Sequence, residues 1–406
     1  MTTTQLNQLT HRLETINGLS KGEIGQNRLV YSPTWVSAQQ QVIKWGLDLG
    51  LQVSVDDFGT TYMDIPGTVH PDQVIAVGSH IDTVAQGGRF DGLYGVLGGL
   101  QAIEDLLETA GRPKKTIRLI SFSEEEGSRF PDTFTGSKHY TNQKVNLAMT
   151  DPDGISFENA RKDAVGKLNL PGVTHAKPGL PSTFTELHIE QGPRLIDRQL
   201  QIGLVTAIVG QRRFTVTVKG IANHAGTTPM DERADALEMA VTLISELRSR
   251  AHELNKNLTF TVGEMHVSPN TSNVIPGFVT FSIDTRYSSE NVLDKFEHII
   301  NQVVEQNQTT NITSTVNRWA KSDVTHLDDQ LLSANQKIAD RLGFSSTQLA
   351  SGAGHDSQIM AKVTRTTMIF VPSINGISHA PEENTSKEDL LRGVELLTES
   401  LRQQAY

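Results

Sequence analysis

GSHIDT contributes His80 and Asp82, GGRFDG contributes Asp91, and SFSEEEGSRF contributes Glu124, Glu125 and Glu126. Further along, ELHIEQG holds His188 and GISHAPEE holds His379. Histidines together with two or three carboxylates make a hard-to-borderline donor set that suits Zn²⁺ or Mn²⁺. The chain has no cysteine, so thiolate ligands and disulfides are both excluded. In His-x-Asp, a carboxylate two residues along can fix the imidazole tautomer from behind. Neighbouring glutamates permit divided labour, one binding metal while the next takes a proton from water.

Taken singly, each stretch has a plainer reading. A lone histidine in a strand-end turn is more often a surface or hydrogen-bonding residue, and Glu124–Glu126 alone is more often a solvated charge run. The Gly87–Gly88 and Gly98–Gly99 pairs fit no phosphate-loop pattern and read as packing glycines. Shared position raises the set above these readings. VIAVGSH (74–80) is a short apolar run ending in a polar turn, as in a buried parallel strand. GLYGVLGGLQAIEDLLETA (92–110) follows with helical spacing, and TIRLISFSEEE (116–126) is a second strand ending in charge. Strand, helix, strand at this spacing predicts a βαβ unit in an open sheet. Such sheets bind ligands at the carboxyl ends of their strands, where His80 and Glu124–Glu126 fall.

The pattern changes near residue 211. RFTVTVKG alternates as a strand with one wet face does. A long helix (234–254), LTFTVGEMHV and FVTFSIDTR around a turn-rich stretch, a second helix and the strand NITSTVNRW complete a β-α-β-β-α-β string. The expected architecture is α/β: a doubly wound catalytic domain in two pieces, 1–210 and 327–406, with an inserted ferredoxin-like α+β domain over 211–326. A length of 406 residues agrees with more than one core. The net charge of -10 is spread along the chain, which argues against a nucleic-acid footprint. No run of 18 apolar residues occurs, so no membrane-spanning helix is expected. The polar start, MTTTQLNQLTHRLETINGLSKGE, reads as an amphipathic helix rather than a signal peptide. The expected location is the cytoplasm.

Together the motifs GSHIDTVAQGGRFDG, FSEEEGSRF, ELHIEQGP, NHAGTTPM, NTSNVIPG, SGAGHD and INGISHAPEE resemble the metal-dependent hydrolases of the peptidase M20 clan. More narrowly, from about residue 28 onward, the chain is similar to the amidase, hydantoinase/carbamoylase family. The resemblance implies two divalent ions per subunit, zinc or manganese, held by His80, Asp91, Glu126, His188 and His379, with Asp91 bridging. It implies Glu125 as general base and Asp82 as the partner of His80. The inserted domain would be a lid and dimerisation domain, one subunit's lid serving the other's site in a homodimer. His224 would stabilise the oxyanion, while Asn273 and Arg286 would hold a substrate carboxylate, for which an arginine fork is well shaped. Gln191, Gly354 and His355 match substrate-contacting positions. From the residues alone, Arg286 reads as an exposed strand-end charge and His224 as a solvated loop histidine.

The implied activity is hydrolysis of the ureido or carbamoyl C–N bond of a small anionic ureido acid. Glu125 would take a proton from water and return it to the leaving nitrogen, with His224 and metal stabilising the tetrahedral oxyanion. By the same resemblance, the segment AIVGQRRFTVTVKG, with Arg213, is more similar to family members that use allantoate, as are NTSNVIPG and IFVPSINGISH. An N-carbamoyl-L-amino acid is the alternative substrate. Two other readings are an aminoacylase or peptidase of the same clan and a non-catalytic binding protein on this fold. The intact ligand set and Glu125 speak against the last.

Overall fold

The computed structural model describes residues 3–406. The chain divides into two compact units, one running through Thr206 and resuming at His326–Tyr406, the other being Ala207–Thr325.

The first unit is built on a mixed ten-stranded sheet. At its centre lie four neighbouring parallel strands, in the spatial order Arg365–Val371, Thr183–Ile189, His70–His80 and Lys115–Phe122. Antiparallel strands flank them, Ile202–Ile208 against Arg365–Val371 and Thr61–Ile65 against Lys115–Phe122. The expected βαβ unit is present: His70–His80, the helix Leu93–Ala110, then Lys115–Phe122. That first strand begins four residues earlier than its apolar run, with an exposed segment at His70.

Alternation along the strands explains why they read as unbroken apolar runs. Ile75, Val77, Ile117 and Leu119 face one core, shared with the helices Leu93–Ala110 and Lys387–Ala405. Ala76, Ile120, Phe122 and Phe184 face a smaller core with Tyr62, Tyr140 and Met360. Successive side chains point to opposite faces, so a sheet covered on both sides needs apolar residues at both parities. The helix Thr3–Ser20 buries Leu9, Leu13 and Ile16 at helical spacing; residues 1–2 of the expected amphipathic stretch lie outside the described residues.

The second unit is a four-stranded antiparallel sheet in the order Met265–Ser268, Phe278–Tyr287, Gly210–Lys219 and Thr313–Ser322. Its helices, Ala236–Leu254 and Glu290–Gln306, share a core with Phe214, Val216, Val218, Val279, Phe281 and Ile283. Asp235 caps the first helix by accepting from the Leu237 and Glu238 amides. LTFTVG, expected as part of a strand, forms none: Thr261 makes only an isolated bridge to Asp284, and the strand starts at Met265. Pairing with Phe278–Tyr287 is interrupted between Thr261 and Met265, where the Ser282 hydroxyl accepts from the Gly263 and Glu264 amides. No helix of the described residues is long and apolar enough to cross a membrane.

Candidate metal centre

The four central parallel strands all end on one side of the first unit, and each delivers part of the site. His80 closes His70–His80, and Glu124–Glu126 follow Phe122. His188 sits one residue before the end of Thr183–Ile189, and the loop after Val371 leads to His379. Asp91 enters from the turn that starts the helix Leu93–Ala110.

Asp91 is the hub. Its Oδ1 lies 3.1 Å from His188 Nε2 and 3.5 Å from His80 Nε2, while its Oδ2 lies 3.0 Å from His379 Nε2. Glu126 Oε2 is 3.5 Å from the same His379 nitrogen. Two candidate metal-binding groups therefore share one carboxylate: His80, Asp91 and His188 on one side, Asp91, Glu126 and His379 on the other. Backbone carbonyls set the imidazole tautomers. His188 Nδ1 is 2.8 Å from the Ile189 carbonyl, and His80 Nδ1 is 3.1 Å from that of Asp82. Both Nδ1 nitrogens act as donors, so in the neutral rings the lone pair is on Nε2, on the side of Asp91. The Asp82 carboxylate, expected to orient His80, stands farther from that ring at 3.5 Å. Its main partners are the amides of Glu125 and Glu126, so it fixes the turn carrying both glutamates.

The donor set fits a pair of divalent cations. Glu126 Oε1 is buried without a hydrogen-bond partner, a costly state for a carboxylate oxygen unless a cation or proton meets it. Burial, then the neighbouring Asp91 charge, pushes the Glu126 carboxyl up to about 8. The bond to Asp91 raises His379 to about 9. Below those values the metal-free centre holds protons that a divalent ion must displace. Ion affinity is therefore predicted to rise with pH toward 8, about tenfold per unit for each displaced proton. Calorimetry at pH 7 in buffers of different ionisation enthalpy should register proton release; binding that releases no proton contradicts the prediction.

Other expected site residues of this unit surround the pair. Gln191 donates to Asp91 Oδ2 at 2.7 Å, and the His355 ring meets that of His188 edge-on at 4.6 Å. A side chain at Gly354 would press on the Phe134 ring. Asn273, His224, Arg213 and Arg286 belong to Ala207–Thr325. There Asn223–His224 pairs with Val274–Ile275, and the Asn273 carbonyl accepts from the Ala225 amide. Arg213 and Arg286 both bond Asp284, at 2.9 and 3.0 Å. Burial pushes the Asp284 carboxyl up, but the two arginines outweigh it and hold it below its ordinary value.

Three residues of the centre were not singled out from the sequence. Gly92 has φ +63° and lies where any Cβ would overlap the His80 ring. Glu186, fully buried, accepts from Ser79 Oγ and from the amide and hydroxyl of Ser357. It shares a strand face with His188, and an acid inside an apolar strand was the available signal. Glu383 is the third.

The sequence profile of peptidase family M20/M25/M40 matches residues 76–403. The chain belongs to that family. Within the M20 family it is 40% identical to an allantoate amidohydrolase of Bacillus subtilis (strain 168), over 94% of this chain and 93% of that one. It is 34% identical to an N-carbamoyl-L-amino-acid amidohydrolase of Paenarthrobacter aurescens, over 97% and 96% of the two. Among solved structures, an amidase of the hydantoinase/carbamoylase family from Burkholderia multivorans matches with TM-score 0.92 at 30% identity, covering 98% of each chain.

Proposed function

We propose that this M20 member is a cytoplasmic, homodimeric two-metal amidohydrolase that cleaves a ureido C–N bond of allantoate. Water adds to the ureido carbonyl; ammonia and carbon dioxide leave, and the amine remains on the carbon skeleton. The observation that carries the reading is the Asp91 carboxylate shared between two ligand groups, in a chain this similar to an allantoate amidohydrolase. When bound, a pair of Zn²⁺ or Mn²⁺ ions lowers the pKa of water and polarises the carbonyl. His80, Asp91, Glu126, His188 and His379 would hold them.

Glu125 is the base in this reading. Burial pushes its carboxyl well above the ordinary range and the nearby Glu126 adds to that, while the charge on His80 opposes it. A carboxyl so placed can accept a proton from water and pass it to the leaving nitrogen. His224 is the oxyanion donor, and Arg286 and Asn273 serve the substrate carboxylate from a lid formed by the partner subunit. The decisive experiment measures ammonia release from allantoate, N-carbamoyl-L-amino acids and N-acyl amino acids with added Mn²⁺ or Zn²⁺. Turnover of acyl substrates alone would favour a peptidase or aminoacylase, and no turnover by metal-loaded protein would favour a binding protein.

Arg213 bears on the choice between ureido acids. Allantoate has a second ureido arm, uncharged, with a carbonyl that needs a donor. Arg213 stacks over Trp319 at 5.4 Å and shares Asp284 with Arg286. Arg213→Ala is predicted to reduce kcat/KM for allantoate more than for an N-carbamoyl amino acid, by about 1–3 kcal/mol for the lost hydrogen bond. Arg286→Ala should reduce both. Equal losses at Arg213 would remove it as a specificity determinant.

A further inference from the structure

Glu383 joins two loops that lie almost three hundred residues apart in the chain. It is 2% exposed. Its Oε1 accepts from the amides of Phe90 and Asp91 at 2.8 and 3.1 Å. Its Oε2 accepts from Ser378 Oγ at 2.7 Å, and that hydroxyl lies 3.2 Å from Asp91 Oδ2. One carboxylate thus grips the backbone that presents Asp91 and, through Ser378, the loop that presents His379.

The His379 loop needs such a grip. His80 and His188 end strands and their side chains are 1% exposed, whereas that of His379 is 48% exposed. Its backbone is left-handed (φ +56°), as are those of Asn375 and Gly376 in the same loop, a region that side chains other than glycine seldom occupy. A second observation comes from the opposite side. A Cβ built on Gly88 would overlap the Glu383 carboxylate, yet Gly88 is not among the residues with positive φ. Nothing in its backbone calls for glycine; the room taken by Glu383 does.

We propose that Glu383 is a positioning residue that holds the Asp91 and His379 loops in register and thereby sets the affinity of the ion position formed by Asp91, Glu126 and His379. The inference rests on the two-ion reading above. The position formed by His80, Asp91 and His188 depends on it less, because strands hold both of its histidines.

The test is Mn²⁺ titration of the full-length chain, stripped by dialysis, against a competing chelator. Wild type should bind two ions per subunit. Glu383→Ala should keep the first within about twofold and weaken the second by roughly tenfold or more, the usual scale for residues that orient ligands. Glu383→Gln keeps an acceptor oxygen for the two amides, and its second ion should stay within about threefold of wild type. Gly88→Ala removes no polar group and should reproduce Glu383→Ala by pushing the carboxylate aside; it decides the matter if Glu383→Ala fails to fold. The combined variant should be no worse than the more affected single one, since both act through one contact. Wild-type retention of both ions by Glu383→Ala, equal weakening of both, or additive losses in the combined variant would each overturn the proposal. Wild type that binds fewer than two ions would overturn it together with the two-ion centre. Two ions with no ureido-acid turnover would remove the proposed activity and leave the role of Glu383 standing.

Discussion

Glu125→Gln is expected to lower kcat by roughly 10²-fold or more, the scale of general-base loss, while the protein keeps its full metal content. The two adjacent glutamates are equally acidic in the sequence, and geometry separates them. Glu126 Oε2 reaches within 3.5 Å of His379 Nε2 and joins the group that includes Asp91. The nearest imidazole to Glu125 is His80, at 3.9 Å from Oε2. Asp82 binds the amides of both residues, so replacing either side chain leaves the turn in place. Glutamine is nearly isosteric with glutamate and removes the proton acceptor with little change in packing. Glu126→Ala is expected to do the reverse, with metal lost and activity falling as a consequence. Measured by elemental analysis and steady-state kinetics on the same preparations, metal loss in Glu125→Gln with retention in Glu126→Ala would exchange the two roles. Glu125, His80 and Glu126 also lie close enough together to hold an ion, which is why the metal readout is needed beside the rate.

The parts of this centre that lie at strand ends were legible because strands leave a plain mark. An apolar run that stops at a histidine or at three glutamates places those groups at the rim of a buried sheet, and the structure has them there. The bond pattern of Asp82 was not legible, since nothing in His-x-Asp distinguishes a carboxylate aimed at the imidazole from one aimed at the amides of a distant turn. His379 was a candidate by residue type alone, and only the resemblance tied it to the centre, for it sits in an irregular loop whose left-handed residues leave no periodicity. Glu383 shows the limit more sharply. Pro-Glu-Glu offers two adjacent acids, and only the fold makes Glu382 exposed and Glu383 buried. In the second unit, alternation in GQRRF puts neighbouring arginines on opposite faces. Arg212 is buried against Glu290 and Asp294 and Arg213 faces Asp284, but the partners come from elsewhere in the chain. LTFTVG, expected as a strand, is interrupted in the same way, by a serine of another strand that accepts from the Gly263 and Glu264 amides.

Mixing two inactive variants is expected to restore about a quarter of wild-type activity if His224 acts across a two-fold interface. His224 Nδ1 accepts from the amides of Gly226 and Thr227 at 3.1 and 3.2 Å. The proton of the neutral ring therefore sits on Nε2, the donor form that a developing oxyanion requires. The side chain is exposed, so His224→Ala removes that donor with little effect on folding, and removal of one such donor costs about 10²–10³-fold in kcat. Glu125→Gln disables a different step. Under the proposed assembly, each site combines Glu125 of one subunit with His224 of the other. A mixed dimer of Glu125→Gln and His224→Ala subunits then has one site carrying both defects and one carrying neither. Free, equal remixing makes about half of the dimers mixed, each with one of its two equivalent sites intact, hence about a quarter of full activity. The measurement needs tagged subunits to prove exchange and each parent assayed alone. Exchange without recovery would place His224 in its own subunit's site or outside catalysis altogether, and kcat of the His224→Ala parent separates those two cases.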